Sequence, residues 1–434
     1  MTYLGPLKNG QRVAVIGAGP AGASAALTLR RVAAHRNIRL DVSLFEGKRF
    51  GEHHNQCLGV LSPPLLSVLK ENLGIELPES LIQRYVRGYV LASSSREILL
   101  DCPPASEASH AVRRVELDAF LLGRVEQSGV SVVRSRVSDI EIGRDEVVVF
   151  SESGNCCVDA VVGAFGLDRS MAAVFRKRTS YRPPLSLETI VAKIHPADLE
   201  RIEGLLSDRI YAYLPPVRGV EFGALVPKGN HIAVIVAGKD VRSADMDSFL
   251  ELPEVARLLP RGARKSEYFK GSFPLGLASG TFGHRYVITG DAAGLVRPFK
   301  GKGINTAILT GRLAALTMLD GGVSASALRS FHDECRDLRA DVAYGRFMRR
   351  LAILTSNYSS VSRVISLAEK DPRIREALFD CVSGNRSFRD IVRRNLRFSV
   401  ALPLARALLL EGVLDRLAQR FSLRPGGPNC RKSS

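Results

Sequence analysis

Residues 12–46 constrain the fold more than any other stretch, because they read as strand, glycine turn, helix and second strand in unbroken succession. Arg12-Val-Ala-Val-Ile16 is a short β-branched run, Gly17-Ala-Gly19-Pro-Ala21-Gly22 follows at once, and residues 23–34 are rich in helix formers. Leu40-Asp-Val-Ser-Leu-Phe45 is a second strand run that delivers Glu46 at its end. Gly17 allows the tight turn, Gly19 lets a pyrophosphate approach the backbone, and Gly22 lets the helix pack closely on the strand. Ala21 lies at the helix start, where free N–H groups receive negative charge. Glu46, 24 residues beyond Gly22, suits the two ribose hydroxyls of an adenosine. The pattern predicts a dinucleotide site, and by itself it does not separate FAD from NAD.

A chain of 434 residues buries a large core in two or three domains. Its net charge of +17 favours an acidic partner: a phosphorylated substrate, an anionic lipid surface or nucleic acid. No aromatic-interleaved basic module or zinc spacing appears, so nucleic acid is not expected. Seven cysteines, at 57, 102, 156, 157, 335, 381 and 430, show no CxxC spacing and no disulfide-framework density. The start is no signal peptide and no uncharged run is long enough to span a bilayer, so a reducing cytoplasm is expected, with peripheral contact at the inner face of the membrane as an addition.

Along the chain the patterns divide into a first nucleotide-binding part at 1–84, strands at 85–105 that contribute to a substrate domain, and a second nucleotide-binding part at 106–179. A β-rich inserted substrate domain at 180–275, a third nucleotide-binding part at 276–325 and a basic helical region at 326–434 complete the division. The third part carries a strand at 286–289, the turn Gly290-Asp291-Ala-Ala-Gly294 and a helix from about Ile304 to Leu319. Asp291, placed after a strand and a glycine, can accept hydrogen bonds from ribitol hydroxyls. Gly301 and Gly303 permit a backbone turn against a flat ring, and the helix from Ile304 and Asn305 aims its positive end at that turn, where it stabilises negative charge on a reduced isoalloxazine.

Taken together, the GAGPAG turn, Arg114 with Asp118 and Leu121, and Gly290-Asp-Ala-Ala-Gly-Leu-Val-Arg-Pro-Phe-Lys-Gly-Lys-Gly-Ile-Asn305 resemble the geranylgeranyl reductase family of flavoproteins, within the class shaped like p-hydroxybenzoate hydroxylase. The resemblance runs to about Leu319. It implies an α/β fold: a Rossmann-like FAD-binding domain of the glutathione-reductase-2 and p-hydroxybenzoate hydroxylase type, an inserted antiparallel β-sheet substrate domain and a C-terminal helical region. It implies FAD as cofactor, with Gly17, Gly19, Ala21, Gly22, Glu46, Arg114, Gly290, Asp291, Gly301, Gly303, Ile304 and Asn305 as its contacts. Arg114 reaches the cofactor phosphates by paired hydrogen bonds, with the adjacent Arg113 as competitor. Lys300 and Lys302 depart from the small residues usual in the family and either raise the flavin potential or are solvated.

Cys57-Leu-Gly59-Val-Leu-Ser62 aligns with the family's cysteine-glycine-serine motif, which places a thiol beside flavin and substrate. Such a thiol can give a proton to one alkene carbon while flavin gives hydride to the other; the competing reading is a small buried hydrophobe. His53 and His54 read as a solvated loop. Phe165 stands before Gly166 where many relatives carry aspartate, which puts reduction by NAD(P)H in doubt and leaves an external electron donor protein open; Asp168 is the candidate substitute. Phe222-Gly-Ala-Leu-Val-Pro227 and Ile232 to Gly238 look like a degenerate aromatic-proline motif before a strand. Its apolar alternation suits a long hydrocarbon substrate, and equally a sandwich core. The absence of Trp removes the paired-Trp motif of tryptophan halogenases. Basic residues 386–397 lead into an apolar stretch at 398–414, which reads as a helix lying on an anionic membrane or packed with a solvated face. The implied function is reduction of carbon–carbon double bonds in a prenyl or isoprenoid lipid. A flavin monooxygenase acting on an aromatic or apolar compound, and a non-enzymatic lipid-binding or escort protein, are the alternatives.

Overall fold

The computed structural model describes residues 3–50, 57–93, 95–102, 107–196, 200–265, 267–297, 303–354, 358–384 and 386–395. Arg12–Ile16 lies inside a six-stranded sheet ordered Phe282–Gly283, Tyr286–Ile288, Ala160–Gly163, Arg12–Ile16, Asp41–Phe45, Ser131–Val133. The last five run parallel and the edge strand Phe282–Gly283 runs antiparallel. Val13, Val15, Val161 and Val162 are wholly buried, as expected of short β-branched runs covered on both faces. Ile16 pairs with Phe45 on one side and Gly163 on the other. Three strands therefore end at one rim, and Gly17, Glu46 and Ala164 emerge from it together. In an open parallel sheet, ligands bind in the crevice beyond such carboxyl ends.

Two helices of small residues cover this sheet. Pro20–His35 begins at the glycine turn, and Gly303–Asp320 returns from the far end of the chain to lie against it. A Cβ on Gly311 would stand 2.1 Å from the Ala21 carbonyl oxygen, and the Ser24 hydroxyl donates to the Ile308 carbonyl at 2.6 Å. Only a residue without a side chain permits that approach. A three-stranded antiparallel ribbon, Val137–Ile142, Val147–Ser151 and Gly154–Val158, adjoins the sheet.

A second, eight-stranded sheet has the order Arg264–Lys265, Ser186–His195, Ile232–Gly238, Val220–Pro227, Arg209–Tyr213, Gly88–Ala92, Glu97–Asp101, with Phe269–Pro274 also on Ser186–His195. Its pairings are antiparallel except the parallel one between Arg209–Tyr213 and Gly88–Ala92. Ile82–Val86 turns away to pair with Ser109–Val112, which also holds Val60–Leu61. Every residue of Ile232–Gly238 is buried, because both faces are covered. Val234 and Val236 pack with Ile202, Met246 and Phe249, whereas Ala233 and Ile235 face the opposite side.

That opposite side is roofed by the basic C-terminal region, which is helical as far as it is described. Its helices are Ala325–Glu334, Arg336–Leu354, Tyr358–Lys370, Pro372–Ser383 and Phe388–Asn395. Val361, Ile365, Ala368, Ile374 and Phe379 pack on Tyr89, Leu91, Ile98 and Leu100 of the second sheet. The roof is also fastened electrostatically. Arg297 Nε lies 3.1 Å from Asp341 Oδ2 without hydrogen-bond alignment, Arg297 Nη1 donates to the Gly384 carbonyl at 3.0 Å, and the Arg389 N–H donates to Asp341 at 3.1 Å. The apolar stretch 398–414 lies outside the described residues, and among those described no helix is long and apolar enough to cross a membrane.

Candidate active site

A cavity of ≈ 1230 Å³ runs from the rim of the parallel sheet to the space between the second sheet and the helical roof. At the nucleotide end the three turn glycines are constrained differently. Gly17 has φ +100°, and a Cβ there would stand 2.5 Å from the Ala164 carbonyl oxygen; on Gly22 it would stand 1.8 Å from the Gly17 carbonyl oxygen. Those two are required by the protein itself. A Cβ on Gly19 would meet nothing within 4 Å, so nothing in the chain itself requires glycine there and the space beside it is open to a ligand. The opening helix has no side-chain cap, which leaves its N-terminus to an anion. Glu46 accepts from the Ala18 N–H at 3.0 Å and the Lys48 N–H at 2.8 Å, fixing its carboxylate at the cavity wall with further lone pairs for hydroxyl donors.

Farther in, Asp291 sits in the tight turn Gly290–Ala293 against the start of the helix at Gly303. Burial pushes its carboxyl up from the ordinary range, and the Arg114 guanidinium pulls it back. Gly290 (φ +64°) is packed against Ala21. Arg114 opens the helix Arg114–Gln127, and its Nε donates to Asp118 Oδ1 at 2.7 Å. Burial works against its charge, yet the Asp118 carboxylate and the Cys57 sulfur, which the guanidinium hydrogen-bonds, outweigh burial and raise its pKa. Arg113 pairs instead with Glu116 at the surface.

Cys57 lines the cavity between its nucleotide and apolar parts, and the Gly59 N–H donates to its sulfur at 3.3 Å. Behind it stands a residue with no counterpart among the sequence candidates. Lys228, only 3 % exposed, donates to the carbonyls of Leu58, Gly59 (3.3 Å) and Val112 (3.0 Å). Burial lowers its pKa to about 7, while the Cys57 sulfur acts to raise it. In the sequence it follows Pro227 and precedes Gly229-Asn230, the setting of an exposed hairpin lysine. The approach of the 57–59 loop and of Val112 buries it.

The apolar part is walled by Leu91, Phe222, Ala224 and Ile235 of the second sheet and by Val361 and Leu378 of the roof. Phe165 also lines the cavity and stacks on Phe175 with ring centroids 5.0 Å apart, edge-on to Tyr181. Asp168 caps the next helix by accepting from the Met171 N–H at 2.9 Å, and lies 3.9 Å from Arg136.

Of the residues singled out from the sequence, Gly17, Gly19, Ala21, Glu46, Cys57, Arg114, Asp291, Gly303 and Ile304 share this cavity. Gly22 and Gly290 serve the packing around it instead. Asn305 turns its amide to the Ser62 carbonyl at 2.8 Å, tying the late helix to the loop that follows Cys57. Gly301, Lys300, Lys302, His53 and His54 lie outside the described residues.

No family model matches the sequence. The chain is 26% identical over 342 residues to digeranylgeranylglycerophospholipid reductase 1 of Methanothermobacter thermautotrophicus, covering 75% of this chain and 82% of that protein. It is 27% identical over 331 residues to menaquinone reductase of Mycolicibacterium smegmatis, covering 72% and 77%. Among solved structures, a geranylgeranyl bacteriochlorophyll reductase-like protein of Thermoplasma acidophilum superposes with a TM-score of 0.71 at 16% identity, covering 94% of this chain and 98% of that one. The structural likeness establishes a shared fold, and the named relatives bear out the resemblance to geranylgeranyl reductases drawn from the motifs.

Proposed function

We propose that the protein is an FAD-dependent oxidoreductase that saturates carbon–carbon double bonds of a prenyl lipid. The observation that carries this is one continuous cavity, with dinucleotide-binding geometry at one end, a thiol in the middle and an apolar chamber at the other. The cradle fits FAD: Gly19 leaves room for the pyrophosphate beside the uncapped helix, Glu46 takes the adenosine ribose, Arg114 a phosphate, and Asp291 the ribitol. Bound there and reduced, the flavin supplies hydride. The apolar walls exclude water and hold the polyprenyl chain, and the Cys57 thiol gives a proton to the second alkene carbon. The sheet formed by 88–101 and 186–274 is the substrate-bearing part, and residues around the first sheet are the nucleotide-bearing part. With Phe165 packed into an aromatic cluster, electrons come from a separate donor protein instead of a docked nicotinamide. The basic region from 386 onward meets an anionic membrane from which the lipid enters.

The test is anaerobic: the purified protein is reduced with dithionite, incubated with a geranylgeranyl lipid and the product weighed by mass spectrometry. A gain of two hydrogens per double bond is expected. A single-oxygen gain once air is admitted, with no two-hydrogen product, would identify a hydroxylase and overturn the reading.

A further inference from the structure

We propose that Lys228 is a positioning residue for this reduction: its ammonium clamps the Cys57–Gly59 loop to the strand–helix junction at Val112–Arg114 and places a positive charge behind the Cys57 sulfur. The inference rests on the reading of Cys57 as the proton donor. Lys228 belongs to the hairpin between Val220–Pro227 and Ile232–Gly238, so the side chain joins the substrate wall to the thiol loop. Gly59 has φ +61° and a Cβ there would stand 2.2 Å from the Val112 carbonyl oxygen, while the Val112 N–H donates to the Gly59 carbonyl at 2.8 Å. Two stretches of backbone thus meet without a side chain between them, and the ammonium donates to the carbonyl oxygens they turn inward. All three of its N–H groups have carbonyl acceptors. Lys228 therefore acts by charge and position and is not itself the proton source.

The chemistry explains why a charge is needed there. The Cys57 S–H bond breaks and a C–H bond forms at one alkene carbon, while the other carbon receives hydride from the two-electron donor, the reduced flavin. The π bond is lost, the flavin is oxidised, and the sulfur keeps the pair of the S–H bond as thiolate. The Arg114 guanidinium on the sulfur and the Lys228 ammonium behind it stabilise that anion. Of the titratable groups near Lys228, His231 is kept neutral by burial and by Lys228, Lys193 and Arg113, with its pKa lowered to about 3, and the Asp118 carboxylate is already paired with Arg114.

The test uses the full-length protein as purified, with Cys57 alkylation by iodoacetamide followed on its peptide by mass spectrometry at pH 7. Lys228→Met is expected to slow alkylation roughly tenfold and Lys228→Arg, which keeps the charge, to stay within about threefold of the parent. A folded, flavin-binding Lys228→Met protein whose Cys57 reacts at the parental rate or faster overturns the proposal. A second pair of variants does not depend on Lys228→Met folding. If two cations face position 57, Cys57→Asp melts at least about 2 °C above Cys57→Asn at pH 7, and equal or reversed melting points overturn it. Neither readout requires turnover, so failure of the prenyl-reductase reading is scored separately by the product mass.

Discussion

Gly19 and Gly22 stand three positions apart in one turn, and substituting each by alanine separates binding from folding. Gly22→Ala drives a methyl into the Gly17 carbonyl and is expected to cost about 3 kcal/mol of stability, read from denaturant midpoints. Gly19→Ala meets only open space and has φ −61°. Its stability is expected to stay within about 0.5 kcal/mol of the parent while FAD affinity, measured by fluorescence titration, falls at least roughly tenfold. Lys228 gives a prediction in pH. Its folded pKa of about 7 lies below the unfolded value near 10.4, so between those values the unfolded state binds the extra proton and stability rises with pH. The burial penalty is full below pH 7 and gone above the unfolded pKa. Relative to Lys228→Met, the parent is expected to gain about 2 kcal/mol between pH 7 and pH 9 in urea melts; a constant difference across that range would contradict a buried, titrating amine. Gly17, Glu46 and Asp291 were legible in the sequence because their signals are local: a turn, an acid and a strand end at fixed spacing. Lys228 was not, because its neighbours at 57–59 and 112 lie more than a hundred positions away and nothing in Pro-Lys-Gly-Asn tells burial from exposure.

At the level of elements, the roof and the late helix are the parts whose roles depend on partners. The amphipathic faces of Tyr358–Lys370 and Pro372–Ser383 announce helices with one buried side. They do not say that this side closes a cavity against Tyr89 and Leu91, since an apolar stripe is the same whatever it covers. For the same reason the alternation in 220–238 left a hydrocarbon chamber and a sandwich core open; in the structure one face of the strand packs on the helices Glu200–Leu206 and Ser243–Leu250 and the other turns to the apolar end of the cavity. Asp341, 2 % exposed, is where the roof meets the loop that follows Asp291. Asp341→Ala strands the Arg297 cation and removes the acceptor of the Arg389 N–H, with an expected loss of about 3 kcal/mol and earlier proteolytic cleavage within 336–395. Unchanged melting and digestion would mean that apolar packing alone holds the roof.

Across the whole molecule, the glycine-turn end and the apolar end of one cavity lie apart, so the proposed cofactor and substrate sites can be blocked independently. Ala224→Phe narrows the apolar chamber far from Gly19 and Glu46. It is expected to raise KM for a long prenyl substrate at least roughly tenfold, or abolish turnover, with FAD content unchanged by absorbance; parallel loss of both would show that the two ends are not separable. The late helix has a temporal consequence. Because Gly311 and Ile308 must dock on Ala21 and Ser24, a growing polypeptide displays its glycine turn on the ribosome some 280 residues before the element that braces it exists. The greasy inner face of the second sheet waits longer still, until residues beyond 358 arrive to cover it. Synthesis therefore passes through a stage at which the first sheet and its two helices are complete while the apolar face of the second sheet still lies uncovered in water.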